Sequence, residues 1–309
     1  MRAAVILGIG CSAKDLRPFQ VDTSVEWRMG APRSEEEADV ILLFGGDGTM
    51  HRHLRRLVEL GLPVLIVPSG SGNDFARALG LHGVRDSLRA WREFCTGREK
   101  VRAIDLGVIS KPGEELGGAA SVDDQGLAAA GELPRYFCSV AGMGLDGEVT
   151  RRANRMPRWL RGHGGYAWMA VATTFQFAPL PMKISARDPQ GDWRVRSEQP
   201  TILAAFANTG IYGGGMKIAP RAKMDDGLLD VCVIGGMDAF RLAWRFPKVY
   251  FGGHLKIRGV EYFQAERGRV ETEHPLEVYA DGELVCRTPV EIGVRRGALK
   301  VVRGVNHTG

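Results

Sequence analysis

No apolar run in the sequence reaches the roughly 18 residues that a bilayer-spanning helix needs, so no such helix is expected. The opening stretch Met1–Leu7 is too short for a secretory leader and runs straight into a strand pattern, which leads to the expectation of a cytoplasmic protein. Cysteine is sparse. Cys11, Cys95, Cys138, Cys232 and Cys286 are odd in number, widely scattered and without paired spacing, which argues against both a disulfide framework and a zinc site. Charge of one sign is scarce too: 41 Lys and Arg against 36 Asp and Glu leave a net +5. That is too mild to demand nucleic acid, yet it suits acidic ligands or an anionic membrane surface. No internal repeat is evident. What is present, 44% hydrophobic and 25% charged residues over 309 positions, is ordinary globular composition with room for two domains.

The chain is organised around Asp39–Thr49. The unbroken apolar run Val40–Phe44 reads as a strand buried on both faces, and it ends in Gly45, Gly46 and Gly48 around the single carboxylate of Asp47. Without Cβ atoms these glycines can take positive φ and let a phosphate chain lie against main-chain N–H groups. Thr49 can cap the helix announced by Met50, Leu54, Leu57 and Val58, which Gly61 is placed to end. Oxyanions are favoured at such a helix N-terminus, and a carboxylate beside phosphates calls for a cation between them, hence Mg²⁺ and a nucleotide. A tight strand-to-helix turn without a ligand is the plain alternative.

Upstream, Gly8–Ala13 matches the G-x-G-x-x-A dinucleotide pattern, but Pro18 follows too soon for a full helix, and a nicotinamide site is not expected. The strand Val64–Val67 ends in a second small-residue turn, Pro68–Asp74, before another helical stretch. Two such turns on neighbouring parallel strands would face one cleft, where Asp74 joins Asp47. Asn73 and Asp74 can equally be helix caps. A further helix is marked by Val84, Leu88, Trp91 and Phe94. Val101–Ile109 reads as a strand carrying Asp105, and Lys111–Pro134 as a long mobile loop. Tyr136–Ala141 resumes a strand that ends in a turn through Glu148. Thr150–Phe177 reads as helical; its Arg151, Arg152, Arg155, Arg158 and Arg161 with Trp159 suit either solvent or a membrane surface. Short strands are expected at 182–187, 193–196, 201–207, 228–234, 277–280, 284–287 and 290–294, which suggests a β-sandwich or barrel. A last strand, Leu299–Val302, returns to the first domain.

The stretches Gly45–Thr49, Pro68–Arg77 (P-S-G-S-G-N-D-F-A-R), Ile104–Gly107, Gly142–Asp146, Tyr212–Pro220, Asp226–Asp230 (D-G-L-L-D) and Asp281–Glu283, in this order, resemble the diacylglycerol kinase catalytic domain superfamily of bacterial lipid kinases and sphingosine kinases. The resemblance runs over nearly the whole chain. It implies a Rossmann-like or phosphofructokinase-like α/β nucleotide domain over 1–107, rejoined by 296–309, and a C-terminal β-sandwich over 108–295. It also implies ATP and Mg²⁺ in the cleft between them. Carried over, ATP contacts fall on Gly46 to Arg52 and Ser71, beside Gly45 and Asn73. Asp47, Asp74 and Asp105 match a network that organises the catalytic Mg²⁺ through water. A structural Mg²⁺ falls on the Lys223 carbonyl, the Asp226 carboxylate and the Leu228 carbonyl. The catalytic base falls on Glu283 or Asp281, with Glu283 favoured. From spacing alone, the turns at Asp226 and Asp281 read equally as hairpins. Two departures stand out: Gly8–Ser12 replaces the N-P-x-x-G loop of many relatives, and His51-Arg52 follow the glycine turn where Asn-Glu is frequent. The expected activity is phosphorylation of a lipid hydroxyl at a membrane surface, by a protein with room for peripheral membrane contact and for a homodimer. The rival readings are a kinase of a soluble acceptor such as NAD and a catalytically silent nucleotide- or lipid-binding protein.

Overall fold

A computed structural model of the chain describes residues 1–21, 24–98, 101–114, 135–154, 173, 177–188, 190–237 and 239–304. The apolar runs become a parallel sheet. Its strands β1 (Arg2–Leu7), β2 (Glu26–Met29), β3 (Val40–Gly45) and β4 (Val64–Pro68) stand in the order β4-β3-β1-β2. Every residue of β3 and β4 is buried, as the unbroken hydrophobic runs require. β2 is the edge strand and largely exposed, so it has no apolar signature. The helices of this lobe are α1 (Ala13–Leu16), α2 (Asp47–Leu60), α3 (Asp74–Ala78) and α4 (Val84–Cys95). α2 buries Met50, Leu54, Leu57 and Leu60, and Gly61 closes it at φ 59°.

The rest of the chain forms β5 (Val101–Ser110), β6 (Arg135–Phe137), β7 (Val140–Gly144), α5 (Leu145–Asn154), β8 (Leu180–Arg187), β9 (Trp193–Ser197), β10 (Pro200–Ala207), β11 (Leu229–Gly235), α6 (Ala239–Arg245), β12 (Val260–Ala265), β13 (Arg267–Thr272), β14 (Glu277–Ala280), β15 (Glu283–Arg287) and β16 (Val290–Val302). One antiparallel layer runs β15-β14-β7-β10-β11-β12 and the other β9-β8-β13-β16-β5-β6. Met143, Phe206 and Val231 from the first layer meet Phe137, Ile184, Val270 and Ile292 from the second in one buried core, which makes this lobe a β-sandwich.

β16 joins the lobes. Its first half pairs with β13 and β5, its register shifts between Arg295 and Leu299, and Val301 then pairs in parallel with Val64 of β4. The expected return of Leu299–Val302 to the first lobe is therefore the far end of the strand that begins at Val290. Other expectations are corrected. The strand expected over Tyr136–Ala141 is broken at Cys138 and Ser139, α5 starts at Leu145 where a turn was expected, and β12, β13 and α6 were not anticipated. The loop expected over Lys111–Pro134 lies mostly outside the described residues (115–134), as do Arg155, Arg158, Trp159 and Arg161. Among the described residues, no helix is long and apolar enough to cross a membrane.

Two aromatic rings rest directly on glycines: Phe137 on Gly107 and Phe206 on Gly268, with both rings fully buried. A Cβ at Gly107 would overlap the Phe137 ring. Gly107→Ala is expected to destabilise the chain by about 1–3 kcal/mol, read as a lowered thermal midpoint. An unchanged midpoint would contradict this packing.

Candidate active site

The two glycine turns come together at the carboxyl ends of β3 and β4. Gly46 precedes α2 with φ −114° and ψ −168°, and none of Gly45, Gly46 and Gly48 is left-handed, contrary to the expectation from sequence. Glycine is required there for close approach instead. A Cβ on Gly46 would stand 2.9 Å from the Cα of Gly70, one on Gly45 2.6 Å from the Cβ of Thr49, and one on Gly72 2.9 Å from Oδ2 of Asp47. Thr49 lies inside the first turn of α2 and does not cap it; its side chain fills the space between Gly8 and Gly45. Asn73 adopts φ 58° and holds its own turn closed. Its Oδ1 accepts the Gly70 N–H at 3.0 Å and its Nδ2 donates to the Gly70 carbonyl at 2.7 Å. Ser71 stands exposed at the tip of this turn. At the start of α2 the Thr49 and Met50 N–H groups both bond the Gly46 carbonyl, so the amides that the helix leaves without internal partners are those of Asp47 and Gly48.

Carboxylates tie these turns to the second lobe. Asp47 accepts the N–H groups of Asp74 (3.0 Å) and Phe75 (3.1 Å). Asp74 accepts the Gly214 N–H at 2.8 Å and pairs with Arg77 at 3.2 Å. Asp281, at φ 50° in the β14–β15 hairpin with Gly282 at φ 87°, accepts the N–H groups of Cys138 (2.7 Å) and Ser139 (2.8 Å) and lies 3.4 Å from Nδ1 of His51 on α2. Those amides belong to the interruption between β6 and β7, which accounts for the broken strand. Glu283, by contrast, is exposed, and its Oε1 lies 3.4 Å from where a Cβ on Gly48 would stand. The hairpin thus brings Glu283 to the first turn of α2, with Asp281 consumed as its anchor.

Asp105 is engaged elsewhere. It accepts the N–H groups of Gly227 and Gly297, each at 2.7 Å, and its own N–H donates to the Met224 carbonyl at 2.6 Å. It therefore pins the turn at 224–228 and the irregularity in β16 to β5. In that turn Asp226 accepts the Leu228 N–H at 3.0 Å, Gly227 stands at φ 74°, and Lys223 is exposed. One carboxylate with neighbouring carbonyls suits a hard cation such as Mg²⁺. The Arg296 guanidinium packs over Gly227, so a cation there shares the turn with a positive charge. Among the described residues, no three His, Cys, Asp or Glu side chains cluster as metal ligands, so a cation in either place relies partly on carbonyls, water or phosphate oxygens. Sequence reasoning missed Asn208, which is fully buried and donates to the carbonyls of Asp105 and Cys138 at 2.9 Å each. It also noted His51 only as a departure.

Burial, and then the neighbouring charge of Asp74, push the Asp47 carboxyl up to about 6; burial raises Asp74 as well. Asp47 therefore holds a proton in the folded chain at pH values where the unfolded chain has already lost it. Its contribution to stability is present below the ordinary carboxylate range and is lost as pH rises through about 6. A cation beside the ionised carboxylate reverses that penalty, so the site fits Mg²⁺. Without divalent cation, wild-type stability is expected to fall by on the order of 2 kcal/mol between about pH 4 and pH 7, with Asp47→Asn flatter over the same range. Mg²⁺ is expected to raise the wild-type melting temperature most at the upper end. Parallel melting curves of the two proteins would contradict this assignment.

Comparison with known proteins agrees with the geometry. The family model described as the diacylglycerol kinase catalytic domain matches residues 23–109, and the YegS C-terminal NAD kinase beta sandwich-like domain matches 139–303. A diacylglycerol kinase of Mycobacterium tuberculosis is 32% identical over 271 residues, 86% of this chain and 77% of the relative. Among solved structures, a diacylglycerol kinase from Bacillus anthracis superimposes with a TM-score of 0.65 at 19% identity, covering 98% of this chain and 97% of that one. An NAD kinase from Archaeoglobus fulgidus in complex with ATP reaches 0.54 at 16%, covering 98% and 94%. These two likenesses concern the fold, an α/β lobe followed by a β-sandwich-like lobe. Family models over both lobes, with a relative at this identity across most of the chain, establish that the chain belongs to the diacylglycerol kinase and YegS-like lipid kinase family, whose members are kinases with an alcohol as acceptor.

Proposed function

We propose that the chain is an ATP- and Mg²⁺-dependent lipid kinase that phosphorylates a hydroxyl of diacylglycerol or a related lipid. The observation that carries this reading is the meeting of the Gly46 and Gly70 turns with Glu283 beside Gly48. The main chain of Gly45 to Thr49, with Ser71 and the turn closed by Asn73, is placed to hold a triphosphate against N–H groups at the start of α2. Asp47 and Asp74 offer the negative charge that a magnesium ion needs, with Asp105 acting through the turn it pins. Lys223, Asp226 and Leu228 form the candidate structural Mg²⁺ site. When bound, ATP supplies the phosphoryl group and Mg²⁺ neutralises charge on its oxygens.

Glu283 accepts the proton of the acceptor hydroxyl as the new oxygen–phosphorus bond forms and the bond to the leaving ADP breaks. An exposed carboxylate without a fixed partner can move to within hydrogen-bond reach of a substrate. Asp281 cannot act so freely, because the main-chain N–H groups of Cys138, Ser139 and Val140 hold it; it positions the hairpin.

Glu283→Gln is expected to lower kcat by about 10²–10⁴-fold while the affinity for ATP changes little. Asp281→Ala is expected to lower the melting temperature, because it strands the Cys138 and Ser139 N–H groups. If Glu283→Gln kept wild-type turnover and a folded Asp281→Asn lost it, the two roles would have to be exchanged. The NAD kinase likeness makes NAD the informative control acceptor. With radiolabelled ATP, label is expected in dispersed diacylglycerol and not in NAD; label in NAD alone would overturn the lipid assignment, and no transfer to either would favour a silent binding protein.

A further inference from the structure

Among the exposed large hydrophobic side chains of the described residues, three are aromatic, and all lie within one short segment: Phe240 (69% exposed), Trp244 (79%) and Phe251 (83%). Phe240 and Trp244 are one turn apart on α6, and Phe251 ends the 3₁₀ segment Phe246–Phe251 that follows. Folding does not explain them, since each leaves most of an aromatic ring in water. The same segment is purely cationic. Arg241, Arg245, Lys248, Lys256 and Arg258 fall between residues 239 and 260 without a single Asp or Glu.

The segment is strapped to the site by its other residues. The Lys217 N–H donates to the Val249 carbonyl at 3.1 Å, and Nε2 of His254 bonds the Ile218 carbonyl at 3.0 Å. Phe246 and Tyr250 pack edge to face, 6.2 Å between ring centres, against the buried cluster beneath. The loop they rest on carries Gly214, whose N–H bonds Asp74. Tyr250 is close enough to Asp74 for that charge, after burial, to raise its hydroxyl pKa. One face of the strap thus borders the proposed catalytic crevice, and its exposed rings and cations are left outside.

Aromatic rings interleaved with cations, without carboxylates, match the boundary between headgroup and acyl chain of an anionic bilayer. We propose that residues 239–258 form a docking surface for an anionic lipid bilayer, seating the mouth of the crevice on the membrane. The purpose, delivery of a lipid hydroxyl to Glu283, rests on the lipid-kinase reading; the docking itself does not.

The test is co-sedimentation of the full chain with vesicles of phosphatidylcholine mixed with phosphatidylglycerol, and with phosphatidylcholine alone. The wild type is expected to bind the anionic vesicles and to be released by salt. The variant Phe240→Ser/Trp244→Ser/Phe251→Ser and the variant Arg241→Glu/Arg245→Glu/Lys248→Glu are each expected to bind roughly tenfold or more weakly, with unchanged melting temperatures. Both are expected to phosphorylate a dissolved short-chain diacylglycerol at the wild-type rate and to lose turnover on long-chain diacylglycerol in vesicles. Wild-type vesicle binding by both variants would overturn the proposal. So would a wild-type dimer in sedimentation velocity that the aromatic variant converts to monomer without change in vesicle binding, since the face would then serve a second copy. If the wild type binds vesicles through these residues yet phosphorylates no diacylglycerol, the docking surface stands and the lipid-kinase reading fails.

Discussion

Aspartates accepting main-chain N–H groups across long stretches of chain are the constraint on which the site depends. Asp47 reaches α3, Asp74 reaches the loop at Gly214, Asp105 reaches Gly227 and Gly297, and Asp281 reaches Cys138 and Ser139. Charge-assisted bonds of this kind are stronger than neutral ones and strongly directional, and removing one partner leaves a buried amide without another. They fix where glycine turns in one lobe and a hairpin in the other come to rest. The β16 strand, shared by both lobes, supplies the covalent continuity, and the aspartates supply the alignment.

The arrangement carries a cost that is itself informative. Asp47 is buried beside Asp74, and no described cation pairs with it directly, so its ionised form is disfavoured. A buried carboxylate with a raised pKa at the head of a helix, between two glycine turns, is what makes this place a candidate for binding positive charge. Glu283 shows the opposite environment, exposed and without a fixed partner among the described residues. Two acidic residues separated by Gly282 thus stand in different environments, because one is satisfied by amides and the other is not.

Much of this was legible in the sequence because it is local. The buried strands, the glycine turns, the stop at Gly61 and the Asp281–Gly282 hairpin follow from runs of a few residues. The reason for glycine was read wrongly, since left-handed backbone and close approach select the same residue, and only coordinates show Gly46 against Gly70. What escaped was non-local. The break at Cys138–Ser139 is made by a carboxylate 143 residues downstream, and His51 finds its partner 230 residues away. β12 is half-buried at its first four positions without alternation, and in β13 the buried positions are only Gly268 and Val270 between charged residues, so both carry a weak strand pattern. The α6 strap is too short for a helical period, and the exposure of its rings is a property of the folded surface alone.

In the proposed function the two glycine turns and Glu283 bound one crevice that receives a magnesium triphosphate. The most direct measurement is a crystal structure with a non-hydrolysable ATP analogue and Mg²⁺. The expected result is phosphate density against the main chain of Gly46–Gly48, with its terminal group facing the Glu283 carboxylate and a metal beside Asp47. Nucleotide bound away from both turns, or beside them but shielded from Glu283, would contradict it.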